Sequence, residues 1–242
     1  MTICLVGSEM CIRDSLYTGS SKTQIYLNED GILNVNNLQP QMANVYGGHM
    51  SFVDYNNDGF LDISMSGLAT VNFSTFTALL LYKWENGNFV LDDDENQLSI
   101  TDGYWGGQYN HDWADYDNDG DLDLVSGGIS IFDNTNYLTI FKNNNGILLK
   151  DTTQTDLIPL FPCALIWIDI NGDNYKDLLT LGRLQLNGVS HMYINDGMGK
   201  LIKSSDQPFE IPSILHAISV GDHNSDGYDD IAIAHLNGTE MH

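Results

Sequence analysis

The sequence predicts an all-β protein built from repeated four-stranded units, and three observations carry that prediction. An aspartate-rich stretch that runs straight into an apolar strand recurs four times. Between its copies lies a second signature, two short apolar-aromatic runs joined by a turn of Asn, Asp and Gly. No segment sustains the 3.6-residue apolar period of an amphipathic helix.

The chain opens on a segment unlike the rest. Residues 5–15, LVGSEMCIRDS, lack the repeat pattern and resemble the in-frame translation of a transposon-type sequencing adapter. Residues 1–15 are therefore expected to be an artefact, excluded from fold reasoning, and the native protein to begin elsewhere. ICLV falls short of the ~7–15 apolar residues of a signal-peptide core. Two of the three cysteines, Cys4 and Cys11, lie in this segment. Cys163, in the apolar run CALIWI, reads as a buried inert thiol, so cysteine usage says nothing about compartment.

From residue 16 onward the repeat organises the chain. The acidic stretches FVDYNNDGFLDISMSG, WADYDNDGDLDLVSGG, WIDINGDNYKDLLTLG and VGDHNSDGYDDIAIAH begin their loops at Asp54, Asp115, Asp169 and Asp222, a spacing of 61, 54 and 53 residues. The hairpin signature occupies 25–34, 81–91, 140–150 and 192–203. Its Asn and Gly residues tolerate the positive φ that tight hairpin turns need. One unit thus reads as strand, acidic loop, strand, variable connection, and a closing hairpin. Complete units are expected at 47–95, 107–155 and 162–207. Residues 16–38 supply a third and fourth strand alone, and 215–242 a first and second. Four short strands in ~50 residues is the size of a propeller blade, and radial stacking lets each sheet cover its neighbour's apolar face. The expected architecture is a β-propeller, about four blade equivalents being present as a fragment of a larger one.

Composition narrows the partners. Apolar residues make up 42%, enough for a core despite a formal charge of −24. Nine basic residues against 33 acidic ones leave no basic stripe for nucleic acid and disfavour anionic membranes. No run approaches the ~20 apolar residues of a membrane span. The acidic surface remains suited to cations, basic proteins or neutral sugars.

Each acidic loop places oxygen-bearing side chains at positions 1, 3, 5 and 9. These are Asp54, Asn56, Asp58 and Asp62, then Asp115, Asp117, Asp119 and Asp123. The third and fourth sets are Asp169, Asn171, Asp173 and Asp177, and Asp222, Asn224, Asp226 and Asp230. Position 6 is Gly59, Gly120, Asn174 or Gly227, residues tolerant of a left-handed backbone. The carbonyl at position 7 (Phe60, Asp121, Tyr175 or Tyr228) can complete a cage. Five aspartates within 115–123 repel one another unless something positive lies between them. Calcium takes ~6–8 oxygens of this mixed kind, whereas magnesium demands a tighter octahedron and zinc prefers nitrogen or sulfur. Up to four Ca²⁺ ions would move the net charge from −24 to about −16. The alternative is a set of metal-free Asx-turns, which a single copy would fit equally well. Four copies that keep the ninth-position aspartate favour the metal. An EF-hand is excluded, because position 12 is Met65, Ser126, Thr180 or Ile233 instead of an acid, and strand-like runs follow.

The D-x-[DN]-x-D-G-x-x-D pattern running into a short apolar strand resembles the FG-GAP/VCBS repeats of integrin-alpha-like β-propellers. The resemblance covers most of 16–238 and departs at Asn174. It implies a propeller, often seven-bladed, with calcium in inter-strand loops, usually outside the cytoplasm and used for adhesion or ligand binding. The expected function is then a calcium-binding module, secreted or at the cell surface, with structural metals and a protein or glycan ligand, monomeric within a larger chain. The alternative is a propeller-type polysaccharide lyase or other carbohydrate-active enzyme. Against it, beyond residue 15 the chain has one arginine, Arg183, and seven scattered lysines to meet an anionic substrate. His49, His111, His216 and His223 lie near the loops at differing offsets and read as variable surface positions. Trp113 and Trp167, two residues before their loops, read as packing between blades. The aromatic connection around Tyr104, Trp105 and Tyr109 is the expected place for a sugar or protein contact, with ordinary loop packing as the alternative. The sequons at Asn72 and Asn237 fit a secreted protein but are weak signals.

Overall fold

The computed structural model describes residues 2–4, 10–14, 23–36, 42–71, 74–92, 110–129, 136–160, 164–184, 187–205 and 214–236. Tyr104, Trp105, Tyr109, Cys163, Asn72 and Asn237 lie outside the described residues. The described elements are all strands, in five antiparallel sheets. The first sheet holds β1 (Thr2–Cys4), β2 (Met10–Asp14), β3 (Thr23–Glu29) and β4 (Ile32–Val35). The second holds β5 (Asn44–Val53), β6 (Asp62–Val71), β7 (Ser74–Glu85) and β8 (Asn88–Leu91). In the third lie β9 (Asn110–Ala114), β10 (Asp123–Ile129), β11 (Asn136–Asn144) and β12 (Ile147–Lys150). The fourth has β13 (Ala164–Ile168), β14 (Asp177–Leu184), β15 (Asn187–Asn195) and β16 (Leu201–Lys203). The fifth is the pair β17 (Ile214–Gly221) and β18 (Asp230–Leu236).

Every sheet is a meander in which chain neighbours pair, the form of a propeller blade. The segment that resembles an adapter supplies β1 and β2, which pair ahead of β3. Residues from 16 onward supply β3 and β4 of that sheet. No helix among the described residues is long and apolar enough to cross a membrane.

The hairpins form where the Asn, Asp and Gly turns predict them. Asp30–Gly31, Asn86–Gly87 and Asn145–Gly146 have positive φ at both residues, the turn whose twist matches its flanking strands. The fourth hairpin is longer. There the Asp196 N–H donates to the Lys200 carbonyl at 3.0 Å across a turn in which Gly197 and Gly199 are left-handed.

Both faces of the inner sheets are buried, so alternate residues of one strand enter different cores. On β7, Leu80 and Tyr82 join Ile25, Val45, Ile63 and Met65 between the first and second sheets. Leu79 and Leu81 of the same strand point the other way, meeting Val53, Tyr55, Leu124 and Leu148. A third core packs Tyr116, Val125 and Ile140 against Trp167, Leu178 and Tyr193. The fourth joins Ile168, Leu179 and Leu181 to the partly buried Ile218, Val220, Ile231 and Ile233 of the fifth sheet. One core per pair of consecutive sheets is what stacked blades require. The first strands lie side by side, β9 against β5 and β13, and β17 against β13. Burying one such Leu or Ile is worth ~1.5–3 kcal/mol. These cores therefore outweigh any single loop hydrogen bond, and the acidic loops adjust a stack that apolar burial creates.

Candidate metal loops

Each acidic loop joins the first strand of a sheet to the second, at one end of the stack. Its shape is set by the position-1 aspartate, which gathers the loop's own backbone. The N–H groups of Asp58 and Gly59 donate to Asp54 at 3.1 and 3.0 Å. Those of Asp119 and Gly120 donate to Asp115 at 3.0 Å each. Asp173 and Asn174 do the same to Asp169, and Asp226 and Gly227 to Asp222. The position-5 carboxylate then caps the position-7 N–H, from Asp58 to Phe60, Asp119 to Asp121, Asp173 to Tyr175 and Asp226 to Tyr228.

This wrapping needs two left-handed residues per loop. Position 6 is one, as predicted, with Gly59, Gly120, Asn174 and Gly227 at φ 87°, 98°, 68° and 91°. Position 4 is the other, filled by Asn57, Asn118, Gly172 and Ser225. The sequence reading missed position 4, although three of its four residues are the Asn or Gly that such a backbone favours.

The ninth-position aspartates stand apart from the rest. Asp62, Asp123 and Asp177 are wholly buried at the start of their strands. In each, Oδ1 accepts a backbone N–H from the third strand of the same sheet: Trp84 at 2.8 Å, Asn143 at 2.8 Å and Asn195 at 2.7 Å. Oδ2 of Asp123 and of Asp177 also accepts the position-2 N–H of its loop, from Tyr116 and Ile170. Burial pushes Asp62 and Asp123 up to about 7, against the partial relief of those N–H bonds, and raises Asp177 in the same way. Carboxylates held this deep are short of positive charge.

The oxygens fit a hard cation. At the ligand positions the loops offer carboxylate, amide and carbonyl oxygen, with no nitrogen or sulfur donor. Oδ2 of Asp62 and Oδ1 of Asp117 are buried with no hydrogen-bond partner. In the second loop one ligand atom from each of Asp115, Asp117 and Asp123 falls within 4.8 Å of the others. The carboxylates of Asp119 and Asp121 are not part of that group. Asp119 caps the Asp121 N–H, and Asp121 accepts from the Asn57 amide at 2.5 Å and the Asn145 N–H at 2.7 Å. In the first, third and fourth loops position 3 is Asn56, Asn171 or Asn224, which donates its amide to the position-5 carboxylate.

Neighbouring sheets roof the loops. The Asn143 amide, on the third sheet, donates to the Tyr55 carbonyl of the first loop at 2.7 Å, and the Asn195 amide reaches the Tyr116 carbonyl of the second loop at 2.7 Å. A Cβ added at Gly146 would lie 3.1 Å from Asn56 Cβ, and one at Gly199 would lie 3.0 Å from Asp117 Cβ. Each hairpin glycine thus lets the next sheet sit on the position-3 ligand. Within a sheet, the Tyr55 and Tyr116 hydroxyls donate to Asp92 and Asp151 at 2.7 Å, tying the loop to the end of the fourth strand. None of these ties was read from sequence, although the acid after the fourth strand recurs in VLDD and LLKD.

The tryptophans pack between sheets as expected. Trp167 stacks on Tyr116 with centroids 5.3 Å apart, and Trp113 lies 6.2 Å from Tyr55 with its indole N–H on Ser64 Oγ at 3.0 Å. The surface reading of the histidines needs correcting at His111, which is buried, and at His49, whose Nδ1 is buried beside it. The His111 ring nitrogens lie 2.8 Å from Ser64 and Ser66 hydroxyls of the preceding sheet, and His49 meets that ring edge-on at 4.8 Å. Non-local serines neutralise its polarity, which local spacing could not reveal. Ser64 and His111 are both buried, and the pair joins the second sheet to the third. His223 is exposed, as expected, and its Nδ1 lies 2.5 Å from Asp230 Oδ2.

Residues 169–233, which carry the third and fourth loops, match the family model described as the FG-GAP-like repeat. The match is consistent with an FG-GAP repeat family, and the first two loops share the pattern of the matched pair. No curated protein matches the chain significantly.

Proposed function

We propose that the chain is a calcium-binding module of an integrin-like β-propeller, working outside the cell or at its surface in adhesion or in binding a protein or glycan. The observation that supports this most is the set of buried ninth-position aspartates, short of positive charge at the mouth of loops lined by oxygen. Asp54, Asn56, Asp58, the Phe60 carbonyl and Asp62 would hold the ion of the first loop, and the corresponding residues those of the other three. A bound Ca²⁺ supplies the charge that offsets their repulsion and fixes the first strand to the second. Extracellular modules hold calcium with Kd of roughly 10⁻⁴–10⁻³ M, which suits millimolar calcium outside cells. The metals are structural in this reading, and the chain carries no catalytic role.

Calorimetric titration of the metal-stripped protein with Ca²⁺ tests the proposal. Uptake of up to four ions near millimolar concentration supports it, and a flat isotherm ends it.

A further inference from the structure

The second loop differs from the others in charge. Its ligand positions carry four carboxylates, Asp115, Asp117, Asp119 and Asp123, where each of the other loops carries three and an asparagine. It also differs in having a lysine at hand. Lys142 on β11 places its Nζ 2.8 Å from Asp117 Oδ2 and 5.5 Å from the centre of the Tyr116 ring. Counting this ammonium, the second loop has the same net ligand charge as the first, third and fourth.

The corresponding positions sharpen the point. Lys142 follows Phe141, which pairs with Leu124, and Lys83 follows Tyr82, which pairs with Ile63, so the two lysines hold equivalent places on their third strands. Lys83 turns away from its loop, whose position 3 is the neutral Asn56, toward Glu85 at 3.3 Å and Asp92 at 3.6 Å. The fourth sheet has Ile194 at this place and Asn171 in its loop. Among these three sheets, a lysine on the loop accompanies an acid at position 3. Asp117 is mostly shielded, with Gly199 of the next sheet over its Cβ, so its negative charge is weakly screened by water.

We infer that Lys142 is a tethered cation that competes with calcium for Asp117, lowering the affinity of the second loop and letting that loop stand without metal. This rests on the calcium reading above. An ion entering the second loop can take the unpartnered Oδ1 of Asp117, but it meets a carboxylate whose charge Lys142 already partly neutralises through Oδ2, and so gains a weaker ligand. Ligand charge sets calcium affinity in such loops, so removing the competitor exposes a four-carboxylate site stronger than its neighbours. The same removal leaves Asp117 without its cation in the metal-free state, which destabilises it.

The test titrates Ca²⁺ into metal-stripped wild-type protein, Lys142→Met, Lys83→Met and the double variant Asp117→Asn/Lys142→Met, and measures each metal-free melting temperature. Because the ammonium is partly exposed, one site of Lys142→Met should tighten about three- to tenfold. Its metal-free melting temperature should fall and recover with calcium. Lys83→Met should bind as wild type does. The double variant, which copies the asparagine of the other loops, should lose the tightening and regain the metal-free stability. Wild-type isotherms for Lys142→Met overturn the inference while leaving the calcium reading standing, as does equal tightening in the single and double variants. Absence of uptake by the wild type overturns both.

Discussion

The second and fourth loops share aspartates at positions 1, 5 and 9 and fold their backbones alike, yet their ninth aspartates live in different surroundings. Asp123 is 0% exposed and takes N–H groups from Tyr116 and Asn143. The Asp230 side chain is 41% exposed and takes both its N–H contacts from His223, within its own loop. The fifth sheet is a pair, so among the described residues no third strand reaches Asp230. The lesson is a division of labour. The loop's own residues build the ring of oxygens, and the third strand with the next sheet's hairpin decides how deep that ring lies.

The largest effect expected from this contrast is at the ninth position. Replacing Asp123 with Ala strands two N–H groups, each costing ~1–3 kcal/mol, and should destabilise the protein by about 3 kcal/mol in calcium. The loss should be smaller in chelator, because the cost of burying the carboxylate vanishes with it. Asp230→Ala should change the urea midpoint little. Equal effects at the two sites would refute the division.

The roof comes next. Asn195→Leu removes an amide that bridges the Tyr116 and Lys176 carbonyls and should cost about 2 kcal/mol by chemical denaturation. A smaller contrast is expected between glycines. Gly199→Ala meets both a positive φ and a Cβ at 3.0 Å, whereas Gly227→Ala meets a positive φ in open space. The first should lower stability by about 1–2 kcal/mol more than the second, read from paired melting curves.

Per pH unit, the mildest effect is a slope of stability with pH. Burial holds His111 well below its usual range, and burial lowers His49 too. In the unfolded chain His111 takes a proton near 6.5, so its contribution to stability is complete above that pH and is lost as pH falls below it. The buried aspartates act in the opposite sense, so the informative quantity is the difference between wild type and His111→Gln. Between about pH 5 and 7 the wild type should lose up to ~1.4 kcal/mol per pH unit relative to the variant. Parallel curves would show that His111 takes its proton at the same pH in both states and would contradict the burial reading.

How much of this was legible in the sequence follows the range of each contact. The Asn-Gly turns at 86–87 and 145–146 need nothing beyond two residues, and they were read correctly. So was the left-handed Asn174, because the loop satisfies its own backbone. Asn143 looked like one more turn asparagine, whereas its amide ties the third sheet to a carbonyl 88 residues away. His111 finds Ser64 and Ser66 only once the second and third sheets are stacked. Lys142 reads as a solvated strand residue until the register brings it over Asp117. Loop geometry is local chemistry, and loop electrostatics belong to the stack.

The most direct test of the central claim, that buried ninth-position carboxylates await a hard divalent ion, is the melting midpoint of the metal-stripped protein with excess Ca²⁺ and with chelator. At ~10 mM calcium, sites of Kd roughly 10⁻⁴–10⁻³ M should each add about 1.4–2.7 kcal/mol, raising the midpoint by several degrees. A midpoint that stays the same in calcium and in chelator would contradict the account.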